Sequence, residues 1–186
     1  LLERYGLRAK KAFSQNFLIS DRAFRAIVDA TVRTDEDWIV EIGAGLGTLT
    51  ARLAERVPEG KIIALELDRD MLAVLRAELA GVDNVDVEEA DAMRYDLKMA
   101  ARWHGGPIAV CGNLPYQIAS QLMFRVIEAR AHVTHAAMVY LLSQADARLR
   151  HMLRQILLNN VRGVRFELTI AAAEVWLKKG MEPETV

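Results

Sequence analysis

Short apolar runs alternate with segments of helical spacing through the middle of the chain. The apolar runs are rich in β-branched residues, which predicts strands, and the segments between them place apolar residues three or four positions apart, which predicts helices. Strands that are almost continuously apolar are typical of a parallel sheet covered on both faces. Strands are predicted at 38–42, 61–65, 85–87, 108–111 and 136–142, and helices at 48–57, 70–80 and 118–129. We therefore expect a doubly wound α/β fold.

The two ends of the chain depart from this alternation. Residues 1–11 carry four basic residues against one acid, and further helices are predicted at about 144–160 and 171–179. We expect residues 1–142 to form the sheet domain with a basic N-terminal arm, and residues 143–186 to form a small helical C-terminal region.

Composition narrows the class of protein. The 186 residues are 52% hydrophobic with a net charge of -1, which excludes a disordered chain and a strongly basic nucleic-acid binder. A single cysteine, Cys111, excludes an intramolecular disulfide and fits a reducing compartment. No apolar run reaches the roughly 20 residues of a membrane helix. We expect a cytoplasmic protein without a metal, because the four histidines lack companions at ligand spacing.

A glycine-rich turn follows the first predicted strand. The sequence EIGAGLG at 41–47 places Gly43, Gly45 and Gly47 between that strand and the next helix. Glycine lets the backbone approach a ligand closely, and the start of the helix offers unpaired N–H groups. The spacing differs from the Gly-x-Gly-x-x-Gly of dinucleotide sites. The turn indicates a nucleotide-type site, although a tight turn without a ligand explains this motif equally well on its own.

Three acidic residues follow the second and third predicted strands. Glu66 ends the second strand, where a carboxylate can accept both hydroxyls of a ribose. Asp91 follows the third strand, where it can accept from an adenine amino group, and Asp68 is expected to face solvent or to cap the next helix. Each acid alone is typical of a solvated loop. Together they mark the carboxyl ends of strands, where ligands of this fold class bind.

The sequence Asn113-Leu114-Pro115-Tyr116 follows the fourth predicted strand. The amino nitrogen of adenine is a poor nucleophile, because its lone pair is delocalised into the ring. The Asn113 side-chain oxygen and the Leu114 carbonyl can accept its two N–H bonds and localise that lone pair. Pro115 stiffens the turn, and Tyr116 offers a face on which an extruded base can stack. The competing interpretation is a plain turn with Tyr116 in the core.

Five ordered motifs resemble the rRNA adenine N6-dimethyltransferase family: QNFL at 15–18, EIGAGLG at 41–47, ELD at 66–68, DA at 91–92 and NLPY at 113–116. That family includes enzymes that modify small-subunit rRNA and the erythromycin-resistance enzymes that modify large-subunit rRNA. The likeness spans residues 8–142. It implies a Rossmann-like methyltransferase sheet with a small C-terminal helical appendage, and S-adenosylmethionine as the methyl donor.

The resemblance also implies roles for individual residues. The target adenine would be held by Asn113, Leu114, Pro115 and Tyr116. The cofactor would be bound by Asn16, Leu18, Gly43, Gly45, Glu66, Asp91 and Asn113. No dedicated general base is implied, because the amino proton becomes acidic only after methyl transfer.

The segment QIAS after NLPY is closer to the small-subunit enzymes. The resemblance therefore implies N6,N6-dimethylation of two adjacent adenines near the 3′ end of small-subunit rRNA during ribosome biogenesis, by a monomer acting on a pre-ribosomal particle. Phosphate contacts are expected from basic residues at both ends of the chain: Arg8, Lys10, Lys11, Arg148, Arg150 and Arg154. A solvated charged face is the alternative for both clusters. The other hypotheses are a resistance-type methyltransferase on large-subunit rRNA, and a non-catalytic RNA-binding assembly factor.

The family pattern is interrupted between Leu142 and Ser143. A helix, two strands and an aromatic loop that helps to clamp the target base are expected there, and the likeness resumes only near Arg150. Either the protein lacks this block, or the sequence joins two segments across it. We favour the second interpretation, because loss of two strands would leave the apolar run AAMVYLL as an exposed edge.

Overall fold

The computed structural model describes residues 4–5, 21–114, 116–139 and 165–166. The described helices are α1 (Asp21–Thr31), α2 (Thr48–Arg56), α3 (Arg69–Glu78), α4 (Leu97–His104) and α5 (Tyr116–Glu128), with a 3-10 turn at Arg130–His132. The described strands are β1 (Trp38–Ile42), β2 (Lys61–Glu66), β3 (Val85–Glu89), β4 (Ile108–Asn113), β5 (Val133–Val139) and β6 (Arg165–Phe166).

The strands form one parallel sheet in the order β3-β2-β1-β4-β5-β6. Successive strands run outward from β1 to β3, and the chain then returns to place β4 on the other side of β1. In doubly wound sheets a ligand binds beyond the carboxyl ends of the strands where the order reverses. The sheet therefore directs attention to the ends of β1, β2 and β4.

Helices cover both faces of the sheet, as the apolar strands predict. One core packs α1, α2 and α3 against Ile39, Ala64 and Cys111, and the other packs α4 and α5 against Val40 and Val110. Alternate residues of each central strand therefore belong to different cores. The expected α/β class is confirmed.

Capping residues define the ends of two helices. The Asp68 carboxylate accepts from the Asp70 N–H at 3.0 Å and caps α3, and Asp96 caps α4 by accepting from the Lys98 and Met99 N–H groups. Gly105 ends α4 in the left-handed conformation that favours glycine. Asp68 is thus a cap, as one of its two interpretations predicted, and it is not solvent-facing, since it is 3% exposed.

Two helices and the position of one strand differ from those predicted. Helices α1 and α4 were not predicted, although α1 buries Phe24, Ile27 and Val28 at helical spacing. Strand β4 extends to Asn113, and β5 covers 133–139 where 136–142 was predicted. Short helices that lie between capping residues carry few periodic positions, which is why the pattern of α4 was overlooked.

Within the C-terminal region only Arg165–Phe166 is described, and this pair forms β6 on the outer edge of β5. It lies between the two helices predicted at 144–160 and 171–179, which are outside the described residues. The region expected to be helical therefore also contributes a two-residue strand to the sheet.

Candidate functional site

Three predicted residues lie at one level across the sheet. Ile42 pairs with Leu65, and Glu41 pairs with Cys111. Continued past the end of β1, these registers place Gly43 beside Glu66 on one side and beside Asn113 on the other. The glycine turn, the acid and the amide thus meet at the point where the strand order reverses.

The glycine turn is held against the end of β2. The N–H groups of Gly43 and Ala44 both donate to the Leu65 carbonyl, at 2.9 and 3.0 Å. Gly43 has φ +71°, and a Cβ atom built on it would meet nothing within 4 Å. The space above the turn is therefore open on the side where the predicted ligand would lie.

The Glu66 carboxylate is tied to the backbone on both of its oxygens. Oε2 accepts from the Gly45 N–H at 2.8 Å, and Oε1 accepts from the N–H groups of Leu67 and Asp68, each at 2.8 Å. A carboxylate has about four lone-pair sites. Three are used by these backbone donors, one in the glycine turn and two in the loop after β2, so Glu66 ties the turn to that loop and keeps about one site for an incoming hydroxyl.

Asp91 lies beyond the end of β3, as predicted. Its Oδ1 accepts from the Met93 N–H at 2.9 Å, and its Oδ2 lies 3.7 Å from Arg94 Nε. The Asp91 side chain is 39% exposed and the Arg94 side chain is 89% exposed. An amino group that approaches Asp91 would therefore compete only with an exposed, weak ion pair. The ion pair with Arg94 was not predicted.

Strand β4 carries Asn113 at its last position, with Leu114 directly after it. Leu114 is only 4% exposed, so its side chain anchors the residue whose carbonyl is predicted to face the target base. Gly112 lies so close to β1 that a Cβ atom there would be 2.4 Å from the Ile42 carbonyl oxygen. Only glycine at this position allows β4 to bring Asn113 beside the turn.

Glu41, the first residue of the motif EIGAGLG, is a buried acid for which no role was predicted. It is 2% exposed, and its Oε2 has no hydrogen-bond partner among the described residues. Burial, with a further contribution from the charge of Glu66, raises the pKa of Glu41 to about 8. The Thr50 hydroxyl opposes this shift in part, although its Oγ1 makes no hydrogen bond of normal geometry. An acid inside the apolar strand WIVEI was the available signal.

The sequence matches the ribosomal RNA adenine dimethylase family over residues 6–153. This match covers most of the chain.

The chain belongs to the ribosomal RNA adenine dimethylase family.

Curated proteins with similar sequences carry names of the same kind. A protein named ribosomal RNA small subunit methyltransferase A, from Anaeromyxobacter dehalogenans (strain 2CP-C), is 43% identical over 155 residues, which cover 79% of this chain and 52% of that protein. The chain thus spans about half the length of the curated relatives that it matches.

Solved structures extend the likeness to the fold. The 23S rRNA methyltransferase ErmE is 28% identical with a TM-score of 0.60, over 68% of this chain and 48% of that one. A dimethyladenosine transferase from Plasmodium falciparum is 25% identical with a TM-score of 0.59, over 74% of this chain and 46% of that one. The parallel sheet is therefore a methyltransferase fold.

Several residues that the family resemblance singled out lie outside the described residues: Arg8, Lys10, Lys11, Asn16, Leu18, Pro115, Arg148, Arg150 and Arg154. Tyr116 is described only as the first residue of α5, so the choice between a stacking face and a core position stays open. The junction at 142–143 also lies outside them.

Two further findings concern the described part of the chain. Its His, Cys, Asp and Glu residues form no group of three or more that suits a metal ion. Its helices include none with the length and apolar character of a membrane span.

Proposed function

We propose that this chain carries the S-adenosylmethionine-dependent N6,N6-dimethylation of two adjacent adenines near the 3′ end of small-subunit rRNA. The observation that carries the proposal is the row formed by the open glycine turn, Glu66 and Asn113 in a member of the adenine dimethylase family. A pre-ribosomal particle is the substrate, and a cytoplasmic monomer is the acting form.

The residues at the sheet edge fit the cofactor. Its ribose would be held by the remaining acceptor site of Glu66, and its adenine amino group by Asp91. Capture of both ribose hydroxyls requires Glu66 to release one of its three backbone donors. The methionine end would lie over Gly43, where space is open, with Asn16 and Leu18 as further partners. When bound, this cofactor supplies an electrophilic methyl group.

The chain itself contributes positioning to the reaction. Asn113 and Leu114 accept the two N–H bonds of the target adenine, which localises the lone pair of its nitrogen and aims it at the methyl group. Holding two reactants in line converts a bimolecular encounter into an effectively unimolecular step. Fixed acceptors achieve this without reorganisation during the reaction. Burial of the Leu114 side chain keeps its carbonyl in place.

Basic residues at the two ends of the chain supply the expected RNA contacts. Six arginines and lysines, at positions 8, 10, 11, 148, 150 and 154, would bind phosphates around the extruded base. Because the whole chain is nearly neutral, binding depends on these local clusters, and rRNA methylation should weaken steeply with added salt.

The deciding experiment is methyl transfer from labelled S-adenosylmethionine to small-subunit particles and, separately, to large-subunit rRNA, both from cells that lack these modifications. We expect label as dimethyladenine in the small-subunit RNA. Label only in large-subunit RNA would move the chain to the resistance type, which the likeness to the 23S enzyme makes a meaningful comparison. Bound cofactor without label would support an assembly factor.

Asn113→Ala tests the role of the amide. We expect methyl transfer to fall below detection while cofactor affinity stays within a few-fold of the wild type, because Asn113 is assigned mainly to the target base. Gln121→Ala on the exposed face of α5 is the matched control and should retain activity. Equal loss of cofactor binding and transfer would contradict this role.

A further inference from the structure

Glu41 lies directly below the row that forms the site. It pairs laterally with Ala64 and Cys111, and the next residues on the same face of these three strands are Gly43, Glu66 and Asn113. Two residues of strand correspond to about 7 Å. The Glu41 carboxyl is therefore one layer beneath the position where the cationic end of the cofactor is expected.

Few contacts of the buried Glu41 carboxyl offset its loss of hydration. Within the described part of the chain, its Oε2 has no hydrogen-bond partner and no lysine or arginine forms an ion pair with it. A charged carboxylate in such a place is costly unless a positive charge or hydrogen bonds offset the loss of water. Glu41 is accordingly protonated at neutral pH when the site holds no cation, because burial raises its pKa to about 8.

The polar groups around Glu41 do not supply that positive charge. From β2 it faces the acid Glu66, from β4 the thiol of Cys111, and from α2 the hydroxyl of Thr50. Burial and the proximity of Glu41 raise the pKa of the Cys111 thiol well above its usual value. Of these two titratable neighbours, the charge of Glu66 opposes ionisation of Glu41, and the protonated Cys111 thiol carries no charge to offset it.

The remaining elements on this face are neutral toward Glu41 or engaged elsewhere. The Thr31 hydroxyl of α1 donates to the Ile27 carbonyl at 2.7 Å. One strand farther, His135 Nε2 lies 2.6 Å from the Thr31 carbonyl oxygen. Helix α3 contributes apolar leucines to this core.

We propose that Glu41 makes the site selective for the positively charged sulfonium of the methyl donor over the uncharged thioether of the demethylated product. Arrival of the sulfonium lowers the cost of ionising Glu41, so the carboxyl releases its proton to solvent as the donor binds. S-adenosylhomocysteine keeps the α-ammonium group that both ligands share but lacks the sulfonium charge, so it leaves Glu41 protonated to a greater extent. The inference rests on the proposed function, because it takes S-adenosylmethionine as the ligand.

This selectivity would favour release of S-adenosylhomocysteine after each methyl transfer. Unit charges roughly 7–10 Å apart at an effective dielectric constant of about 20 interact strongly enough to change affinity about tenfold. Loss of the methyl group removes that attraction at the end of each transfer. Dimethylation of two adenines requires four such exchanges, so faster release of the product serves this reaction directly.

The test is titration calorimetry of the two ligands on the wild type and on Glu41→Gln, from pH 6 to pH 9, in buffers with different ionisation enthalpies. In the wild type we expect the affinity ratio of S-adenosylmethionine to S-adenosylhomocysteine to rise about tenfold as pH passes through about 8. Near pH 7.5 we expect about half a proton more to be released with the donor than with the product, because a tenfold coupling lowers the pKa of Glu41 by about one unit. In Glu41→Gln the contribution of Glu41 to this rise in the ratio should be absent. Titration of the amino groups of the ligands is common to both proteins and cancels in this comparison.

Glu88→Gln is the matched control, because Glu88 also has a raised pKa but lies on β3, away from the turn, and it should behave like the wild type. Equal ratios and equal proton release in the wild type and Glu41→Gln, with both ligands bound, would overturn the inference. Failure of the wild type to bind either ligand would instead overturn the proposed function. If Glu41→Gln does not fold, proton release by the wild type alone decides, because release that is the same with both ligands contradicts the proposal.

Discussion

Glu41 and Glu66 are two acids at the carboxyl ends of neighbouring strands, but their surroundings are opposite. Glu66 accepts three backbone N–H groups from the turn and the start of α3. Glu41 lies one layer deeper, with an unpartnered oxygen. The difference is set by the backbone, because a turn offers free N–H groups and the interior of a strand offers none. One position therefore organises the site and the other responds to charge.

This contrast separates two kinds of electrostatic role. The charge of Glu66 is stabilised by donors that are present before any ligand arrives, so it is part of a preformed site. The charge of Glu41 has no such support, and its ionisation depends on what binds above it. Substitutions of acids along this edge of the sheet should therefore differ in which property they change, as well as in the size of the change.

Glu66→Ala is expected to have the largest effect on the cofactor site. It leaves three backbone donors without their acceptor, and bonds to charged groups contribute about 1.5–3 kcal/mol each. Water replaces part of this loss at the partly exposed edge, so we expect the free energy of unfolding to fall by about 2–3 kcal/mol. Cofactor affinity should fall at least 100-fold. Urea denaturation and calorimetry measure the two effects, and an unchanged affinity would refute the assignment.

Glu41→Gln is expected to remove a pH dependence of stability. The raised pKa means that the folded state binds the proton more tightly than the unfolded chain, so wild-type stability falls as pH rises from about 4.5 to about 8. Between pH 5 and pH 8 we expect the wild type to lose about 3–4 kcal/mol more than Glu41→Gln, since each pKa unit corresponds to about 1.4 kcal/mol. Denaturation at pH 5 and pH 8 measures the difference. Parallel profiles for the two proteins would mean that Glu41 is ionised in the fold.

Asp68→Ala tests an acid of the same loop whose carboxylate caps a helix. Loss of the bond to the Asp70 N–H should cost about 1 kcal/mol, which is typical of an N-cap. The cost should match that of Asp96→Ala at the start of α4, and cofactor affinity should change by no more than a few-fold. A cofactor defect as large as that of Glu66→Ala would show that the cap is also part of the site.

Glu89→Gln should have the smallest effect. Glu89 is the register partner of Glu66 on β3, but it faces solvent and pairs with the exposed Arg69 at 2.7 Å. Exposed pairs contribute little to stability. We expect no measurable change in the midpoint of thermal unfolding or in cofactor affinity. A clear loss of either would show that position along the edge matters more than the surroundings of the acid.

Much of this site could be predicted from the sequence. Apolar runs located the central strands, and strand ends in a parallel sheet converge, so Gly43, Glu66, Asp91 and Asn113 were expected at one edge. The structure confirms where these residues lie along the sheet. Their roles toward cofactor and adenine stay predictions.

Other features depend on geometry that a pattern of residues does not contain. The bond from the Gly45 N–H to Glu66 requires the turn to fold back over β2. The protonation of Glu41 depends on which side chains surround it in three dimensions. Helix α1 was not predicted, because it precedes the first strand and so lies outside the alternation of strands and helices from which the other elements were predicted. The contacts of Glu66 and the protonation of Glu41 depend on distances across the sheet, which residue types alone do not determine.

The close approach at Gly112 also has a consequence for how the protein is made. Strand β1 needs β4 beside it, yet Gly43 and Asn113 are about 70 residues apart. At about 5–20 residues per second, roughly 4–14 s pass between the synthesis of these two residues on a ribosome. During that interval one side of β1 is an open apolar edge of the kind that recruits other chains. A nascent chain that stalls before residue 108 should therefore aggregate more readily than one that stalls after β4 has docked.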